Sequence, residues 1–129
     1  MQKRYYFKIA YADTDQMGVM YHANYFRYFE MARHDLMQDQ GIEYAEVENM
    51  GVVMPVISAS VEYYKPVFFG QTIEVETRVG QLQGPRIDFE ASMKDSDGEI
   101  VCESKITLAF VNRESMKPCH PPEIFNRVF

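Results

Sequence analysis

The chain has 129 residues, 47% of them hydrophobic, with a formal net charge of -6 and a pI near 5.0. This length predicts one domain over residues 1–129, and the acidic balance argues against a nucleic-acid-binding protein, because lysine and arginine contacts supply most of the affinity for phosphates. No apolar run approaches the roughly 20 residues of a membrane-spanning helix, and the first residues lack the apolar segment of a signal peptide, so we expect a cytoplasmic protein with no membrane span.

The first third of the chain predicts a strand followed by a long helix. Apolar side chains alternate with residues of mixed polarity at Tyr5, Phe7, Ile9 and Tyr11, which is typical of a strand with one buried face. Across residues 24–40, apolar residues recur at three- and four-residue spacing, which predicts an amphipathic helix. Gly41 is a typical C-terminal stop for that helix.

The second half of the chain predicts four more strands. Alternating runs occupy residues 57–63, 73–79, 87–93 and 100–111, and Asp97-Gly98 is a strong hairpin signal between the last two. We therefore expect these strands to form an antiparallel meander. Residues 123–128, which follow a cluster of prolines, are predicted to form either one short helical turn or a tail.

The order of strand, one long helix and four strands predicts an α+β fold. In it, a curled antiparallel sheet is wrapped around one long central helix, because a single helix must cover the whole sheet. The edges of such a sheet would be exposed. Pairing of edges between chains removes that exposure, so we expect a homodimer or homotetramer.

The segment that carries chemistry runs from the end of the first strand into the helix. Asp13 and Asp15 lie in a short loop with Gly18, and the loop leads to the N-terminus of the helix near His22. Unpaired backbone amides at a helix N-terminus can donate hydrogen bonds to an oxygen that carries negative charge. Acyl transfer needs such donors together with a group that attacks the carbonyl or activates water, and Asp15 could be that group.

Structural roles for the same residues are common. Aspartates before a helix usually satisfy loop and cap amides, and for Asp13 we keep this interpretation. A lone histidine such as His22 is more often a hydrogen-bonding partner at a helix start than a catalyst, and Tyr11 could simply pack. The pattern alone does not decide between these roles and catalysis for Asp15.

The sequence of residues 13–33 closely resembles the signature of the 4-hydroxybenzoyl-CoA thioesterase family of hotdog-fold enzymes, especially its short-chain acyl-CoA branch. The resemblance implies that Asp15 is the catalytic carboxylate and that the backbone amide of His22 polarises the thioester carbonyl. It also implies that the His22 side chain assists and that Tyr11 contributes to activity. Asp15 would act either as a nucleophile, through an acyl anhydride, or as the general base for water.

An acyl-CoA substrate requires cations for its phosphates and an apolar pocket for its acyl group. The candidate cations are Lys65, Arg78 and Arg86 near strand ends, and Arg86 approximately matches a richer basic cluster in the aromatic branch of the family; each could equally be a solvated surface charge. The resemblance implies an acyl pocket formed partly at a subunit interface. Four methionines could line it or fill the core: Met17, Met20, Met50 and Met54.

Two other functions remain open at this point. A hotdog hydratase or dehydratase would act on a thioester without cleaving it, and a non-catalytic acyl-CoA-binding module would use the Asp15 loop only as structure. Cys102 and Cys119 lack any metal-binding spacing, so they are expected to be reduced structural thiols. We expect neither a metal nor a cofactor.

Overall fold

The computed structural model describes residues 2–129 and contains one five-stranded antiparallel sheet, one small two-stranded sheet and three helices. The strands are β1 (Gln2–Lys8), β2 (Val52–Val53), β3 (Val56–Tyr63), β4 (Thr72–Gln83), β5 (Arg86–Lys94), β6 (Ile100–Ala109) and β7 (Val111–Asn112). The helices are α1 (Asn24–Asp39), α2 (Tyr44–Asn49) and α3 (Glu123–Val128). The large sheet has the order β1–β4–β5–β6–β3, and β2 pairs with β7.

Helix α1 confirms the helical prediction. It ends one residue before Gln40, and Gly41 follows with a φ of +81°, a conformation that glycine adopts without a Cβ clash. The apolar residues that predicted the helix are all buried: Tyr25, Tyr28, Phe29, Ala32 and Leu36. Burial of this face against the sheet is therefore what the 3.6-residue spacing encodes.

The first strand is shorter than predicted. β1 ends at Lys8, and Tyr11 lies in a 3-10 turn that spans Tyr11–Asp13. The Asp13 carboxylate accepts a hydrogen bond from the backbone N–H of Ala10 at 2.9 Å, which closes this turn. The prediction of a strand as far as Tyr11 was thus wrong for its last residues, because the Asp13 side chain, and not a neighbouring strand, accepts the backbone hydrogen bond there.

The predicted meander is right for β4, β5 and β6 but wrong for β3. The hairpin at Asp97-Gly98 joins β5 to β6, and β3 pairs with β6 at the outer edge instead of with β4. Residues 64–71 therefore pass along one end of the sheet, from β3 at its edge to β4 near the other edge. Lys65 and Val67 anchor this crossing segment through contacts to the β5–β6 hairpin and to Met20.

One helix does not cover the sheet alone, which corrects the prediction of a single helix. α2 adds Val47 to the core, and residues 123–128 form α3, whose Phe125 is fully buried against Phe110. Cys102 and Cys119 are free thiols, and burial raises the pKa of Cys102 to about 12. Within residues 2–129, no helix has the length and apolar character needed to cross a bilayer.

Candidate active site

The loop between β1 and α1, residues 9–22, is fixed against the crossing segment. Ile9 donates to the carbonyl of Gln71 at 2.9 Å, and Met20 donates to the carbonyl of Val67 at 2.9 Å. Met20 is itself buried in the core. The loop is thus held at the same end of the sheet as the crossing segment.

Asp15 lies in a tight turn within this loop. Its backbone N–H donates to the carbonyl of Val19 at 3.0 Å, and its carbonyl accepts from Gly18, whose φ is +81°. The carboxylate oxygen Oδ1 accepts from the N–H of Met17 at 2.8 Å. Oδ2 has no hydrogen-bond partner among residues 2–129. One oxygen therefore fixes the half-buried carboxylate, and the other is available for chemistry.

Asp13 is a structural residue, in agreement with the role expected for it, but it does more than form a turn. Its side chain is buried and accepts hydrogen bonds from Tyr28 and Arg27 on α1 as well as from Ala10. Its carbonyl accepts from the side chain of Asn24 at 2.9 Å. Burial and the bond to Asp13 raise the pKa of Tyr28 to about 12, so the phenol stays a donor at neutral pH.

His22 lies immediately before α1 and is exposed. Its backbone N–H has no acceptor within the part of the chain that the structure describes, which leaves a free donor at the helix N-terminus. Its carbonyl accepts a hydrogen bond from the hydroxyl of Tyr63 at 2.7 Å, and Tyr63 also packs edge-on against Tyr25 with ring centroids 4.9 Å apart. The imidazole contacts the ring of Tyr21.

Sequence reasoning missed Tyr63. The alternating pattern placed it correctly in a strand, but a strand pattern carries no information about which loop lies beside the strand end. The adjacent Tyr64 and Lys65 likewise indicated only that the strand ends there. Only the crossing of residues 64–71 brings Tyr63 to the start of α1.

Tyr11 lies on the surface beside the loop. Its side chain is 77% exposed, and its ring packs edge-on against Phe69 of the crossing segment with centroids 5.7 Å apart. Phe69 is exposed as well, and so is Met17 beside Asp15. The loop and the crossing segment therefore each carry exposed apolar side chains that a substrate can reach.

The three candidate cations do not converge in one chain. Lys65 contacts Asp95 at 2.8 Å and Glu99 at 2.6 Å, and these carboxylates raise its pKa above the usual lysine value. Arg86 is the first residue of β5, and Asp95, the partner of Lys65, directly follows the last residue of that strand. The length of β5 therefore separates Arg86 from Lys65 by roughly 25 Å. Lys65 and Arg86 of a single chain thus cannot contact the same phosphate.

Arg78 and Arg86 differ in how free they are. Arg78 bonds Glu90 on the neighbouring strand at 3.0 Å. Arg86 is exposed and forms no ion pair with any described residue; it lines a cavity of about 500 Å³ together with Lys105. Of the three cations, Arg86 is the one that is available to an anion, although it lies far from the Asp15 loop of its own chain.

Five cavities of the described chain do not contain the predicted catalytic residues. Their volumes lie between about 320 and 580 Å³, and none of these five is lined by Asp15, His22 or Tyr11. Met54 lines a cavity beside α1, and Met50 lines two others next to α2. Within one chain, the Asp15 loop is therefore a surface feature.

Comparisons with known proteins agree on one family. The model of the thioesterase-like superfamily matches residues 9–129. The acyl-CoA thioesterase YbgC of Helicobacter pylori is 30% identical over 129 positions, covering 94% of this chain and 95% of that protein. The acyl-CoA thioester hydrolase YbgC of Escherichia coli O157:H7 is 26% identical over 86% of this chain and 83% of that protein.

A solved structure supports the same assignment. The DHNA-CoA thioesterase of Staphylococcus aureus superimposes with a TM-score of 0.89 at 30% identity, covering 99% of this chain and 83% of that one. The gentisyl-coenzyme A thioesterase BH1999 has a TM-score of 0.87 at 19% identity, over 96% of this chain and 99% of that one, which shows a shared fold.

Proposed function

Because the chain belongs to the thioesterase-like superfamily, we propose that it hydrolyses the thioester bond of an acyl-coenzyme A to a free acid and coenzyme A. The names of its full-length relatives support this reaction, since they are acyl-CoA thioesterases. The observation that carries the proposal is local: at the start of α1, one loop presents a carboxylate oxygen of Asp15 and the backbone amide of His22, neither of which has a hydrogen-bond partner among residues 2–129.

In the proposed mechanism the backbone N–H of His22 donates to the thioester oxygen. This donor strengthens its bond as the oxygen becomes negative in the tetrahedral transition state, and the helix dipole of α1 favours the same charge. Asp15 either attacks the carbonyl carbon, or removes a proton from the water that attacks it. In the nucleophilic route the C–S bond breaks, coenzyme A leaves as the thiolate and takes a proton from water, and a second water molecule hydrolyses the acyl–Asp15 anhydride to the free acid. In the general-base route the proton that Asp15 removes from water passes to the sulfur as the C–S bond breaks, so coenzyme A leaves as the thiol.

Other groups around the loop have supporting roles in this proposal. Tyr11 and the His22 imidazole contact the substrate at the mouth of the loop, where both side chains are exposed. Lys65 lies at the same end of the sheet, but its two carboxylate partners weaken its attraction for phosphate. Arg86 would contact coenzyme A bound at the loop of another copy of the chain.

We also propose the hotdog arrangement, with the sheet wrapped around α1, and a homodimer or homotetramer. Edge strand β3 supports the oligomer, because it is exposed along nearly its whole length and carries the apolar Val56 and Ile57. The opposite edge, β1, instead carries charged residues: Lys3 bonds to Asp35, and Arg4 lies near Glu74. Charged edges resist pairing, whereas an exposed apolar edge favours it.

A thiol-release assay tests the proposed reaction. The purified chain is incubated with short-chain, long-chain and aromatic acyl-CoAs, and free coenzyme A is detected with a thiol reagent. We expect turnover that releases one thiol per substrate. Saturable binding without thiol release would favour an acyl-CoA-binding module, and a change in the acyl group without thiol release would favour a hydratase or dehydratase.

A further inference from the structure

Arg33 on α1 is a buried cation without an acidic partner. Its exposed fraction is only 5%, and no carboxylate among residues 2–129 lies within 4.0 Å of its guanidinium. Its Nε makes a long contact of 3.4 Å to the hydroxyl of Tyr44, and the guanidinium lies over the ring of Phe89 at 5.9 Å. These contacts offset only part of the cost of removing a charge from water, because buried charges are normally paired.

Arg33 lines a cavity whose walls carry both apolar and acidic side chains. This cavity has a volume of about 350 Å³ and lies between α1, α2 and the start of β3. Its lining includes Arg33 and the apolar residues Val47, Val52, Met54, Val56 and Leu108. A pocket that combines apolar side chains with one buried cation is suited to an apolar chain that ends in an anion.

The cavity lies on the same side of α1 as the proposed oxyanion donor. Phe26, Glu30 and Arg33 follow one another at intervals of four and three residues, so they form a single stripe along α1, and His22 lies two residues before the first residue of that helix. Phe26 and Glu30 are exposed between the two ends. The helical rise separates Asn24, the first residue of α1, from Arg33 by about 14 Å, and side chains tilt toward the N-terminus, which brings the guanidinium closer to the helix start.

The two ends of strand β3 lie near the two ends of this stripe. At one end Tyr63 bonds the carbonyl of His22, and at the other end Val56 lines the Arg33 cavity. One end of β3 is therefore near the proposed thioester position, and its other end is near the buried cation. At the far end, α2 closes the stripe with Tyr44 and Val47.

We propose that this stripe binds the acyl group and that Arg33 binds a carboxylate at its far end, so that the preferred substrates are medium-chain acyl-CoAs with a terminal carboxylate. The reaction in this inference rests on the proposed thioesterase function, whereas the carboxylate-binding site at Arg33 is independent of that function. Glu30 and Glu48 also line the cavity, and both are exposed, so they repel an approaching anion from its rim. Arg33 is largely buried whereas Glu30 and Glu48 lie in water, which favours the attraction over the repulsion.

The test compares matched substrates on the same enzyme preparation. The ratio of kcat/KM for sebacoyl-CoA to decanoyl-CoA, and for dodecanedioyl-CoA to dodecanoyl-CoA, is independent of the folded fraction. We expect the wild type to prefer the terminal carboxylate by roughly 10- to 100-fold in at least one pair, because a desolvated charged hydrogen bond contributes this much to specificity. Arg33→Met should lower the ratio to about one or below.

Three further variants keep the test decisive if Arg33→Met fails to fold. Arg33→Lys should keep part of the preference, and Glu30→Gln should increase it by removing a repelling carboxylate at the rim. Arg127→Met removes an exposed arginine from α3 and should leave the ratio unchanged. A wild-type ratio near or below one in both pairs, or a ratio that Glu30→Gln lowers, would overturn the proposal.

A binding measurement separates this inference from the proposed reaction. Calorimetry with dodecanedioate and dodecanoate is carried out on the wild type and on Arg33→Lys. Tighter binding of the diacid to the wild type supports the site even if no acyl-CoA is hydrolysed. If substitution of Arg33 instead dissociates an oligomer while the substrate ratio stays constant, a second copy of the chain occupies the cavity and the proposal is wrong.

Discussion

Asp13 and Asp15 are two residues apart in the same loop, yet their surroundings differ completely. Asp13 is buried with three donors around its carboxylate, whereas Asp15 is half-buried and holds one donor. The sequence pattern predicted two acids before a helix but did not distinguish them. The difference arises because Arg27 and Tyr28 on α1 point back to Asp13, which depends on how the loop folds onto the helix.

The buried position of Asp13 predicts a large stability effect. Asp13→Ala would leave the hydroxyl of Tyr28 and the N–H of Ala10 without their acceptor, which should lower the free energy of unfolding by about 2–4 kcal/mol. Urea denaturation measures this change. Asp35→Ala is the matched control, since Asp35 forms a partly exposed ion pair with Lys3 and its loss should cost less than about 1 kcal/mol. Equal losses in both variants would contradict the structural role of Asp13.

Tyr63 is expected to position the oxyanion donor. Tyr63→Phe removes the hydrogen bond that holds the carbonyl of His22, so the adjacent amide should be aimed less well at the thioester oxygen. We expect kcat to fall by about tenfold with little change in KM, because misalignment removes part of an oxyanion contribution that is typically about 100- to 1,000-fold. Steady-state kinetics on one acyl-CoA measures both constants.

Tyr64→Phe provides the control for this prediction. Tyr64 is the next residue, and its hydroxyl bonds the exposed side chain of Glu103 at 3.1 Å. This variant should keep the wild-type kcat. If both tyrosine variants lose the same activity, the effect comes from the strand end in general and not from the His22 contact.

Among the helices and strands, the periodic spacing of apolar residues predicted most of the fold. α1 and the cores of β3, β4, β5 and β6 lie where apolar periodicity placed them, because burial of one face is a local property of sequence. α2 has only six residues and β2 only two, which is too short for a period to be recognised. The position of β3 beside β6 depends on the path of residues 64–71, which no local pattern encodes.

The crossing segment is held at the β5–β6 hairpin by Lys65, and this contact predicts a pH dependence. The ion pair with Lys65 lowers the pKa of Asp95 below its usual value, so the pair stabilises the fold above the unfolded-state pKa of aspartate. This stabilisation is lost as pH falls through the lowered pKa. In Lys65→Met, the pKa of Asp95 rises again, so acid unfolding should begin at a higher pH than in the wild type.

Thermal unfolding followed between pH 2 and pH 7, roughly the range in which carboxylates titrate, measures this shift. Lys94→Met is a suitable control, because Lys94 lies at the end of β5 and has no carboxylate partner among residues 2–129. Its acid unfolding should match that of the wild type. Coincident curves for Lys65→Met and the wild type would show that the ion pair does not anchor the segment.

For the whole molecule, the number of strands predicted an exposed sheet edge. It did not predict which of the two edge strands pairs with another chain. The structure distinguishes them, since β3 is apolar at the surface and β1 is charged. We predict that Ile57→Lys on β3 dissociates the oligomer, because an edge lysine opposes strand pairing, whereas Tyr6→Lys on β1 does not. Light scattering coupled to size exclusion measures the mass. A monomeric wild type, or dissociation by Tyr6→Lys alone, would contradict pairing through β3.

The candidate site shows the same division between local and assembled features. The loop acid and the helix-start amide could be predicted, because they are contiguous in residues 15–22. The cations could not be ranked from sequence, since the two carboxylates that neutralise Lys65 come from another part of the chain. The buried Arg33 was likewise indistinguishable from any surface arginine on an amphipathic helix.

The central claim is that the Asp15 carboxylate acts on the thioester. Asp15→Asn tests it most directly, because the amide oxygen can still accept the N–H of Met17, so the turn is preserved while the charge is removed. In a thiol-release assay on the best acyl-CoA substrate, we expect kcat to fall at least about 100-fold, with an unchanged unfolding midpoint. A folded Asp15→Asn variant that releases coenzyme A at the wild-type rate would contradict the claim.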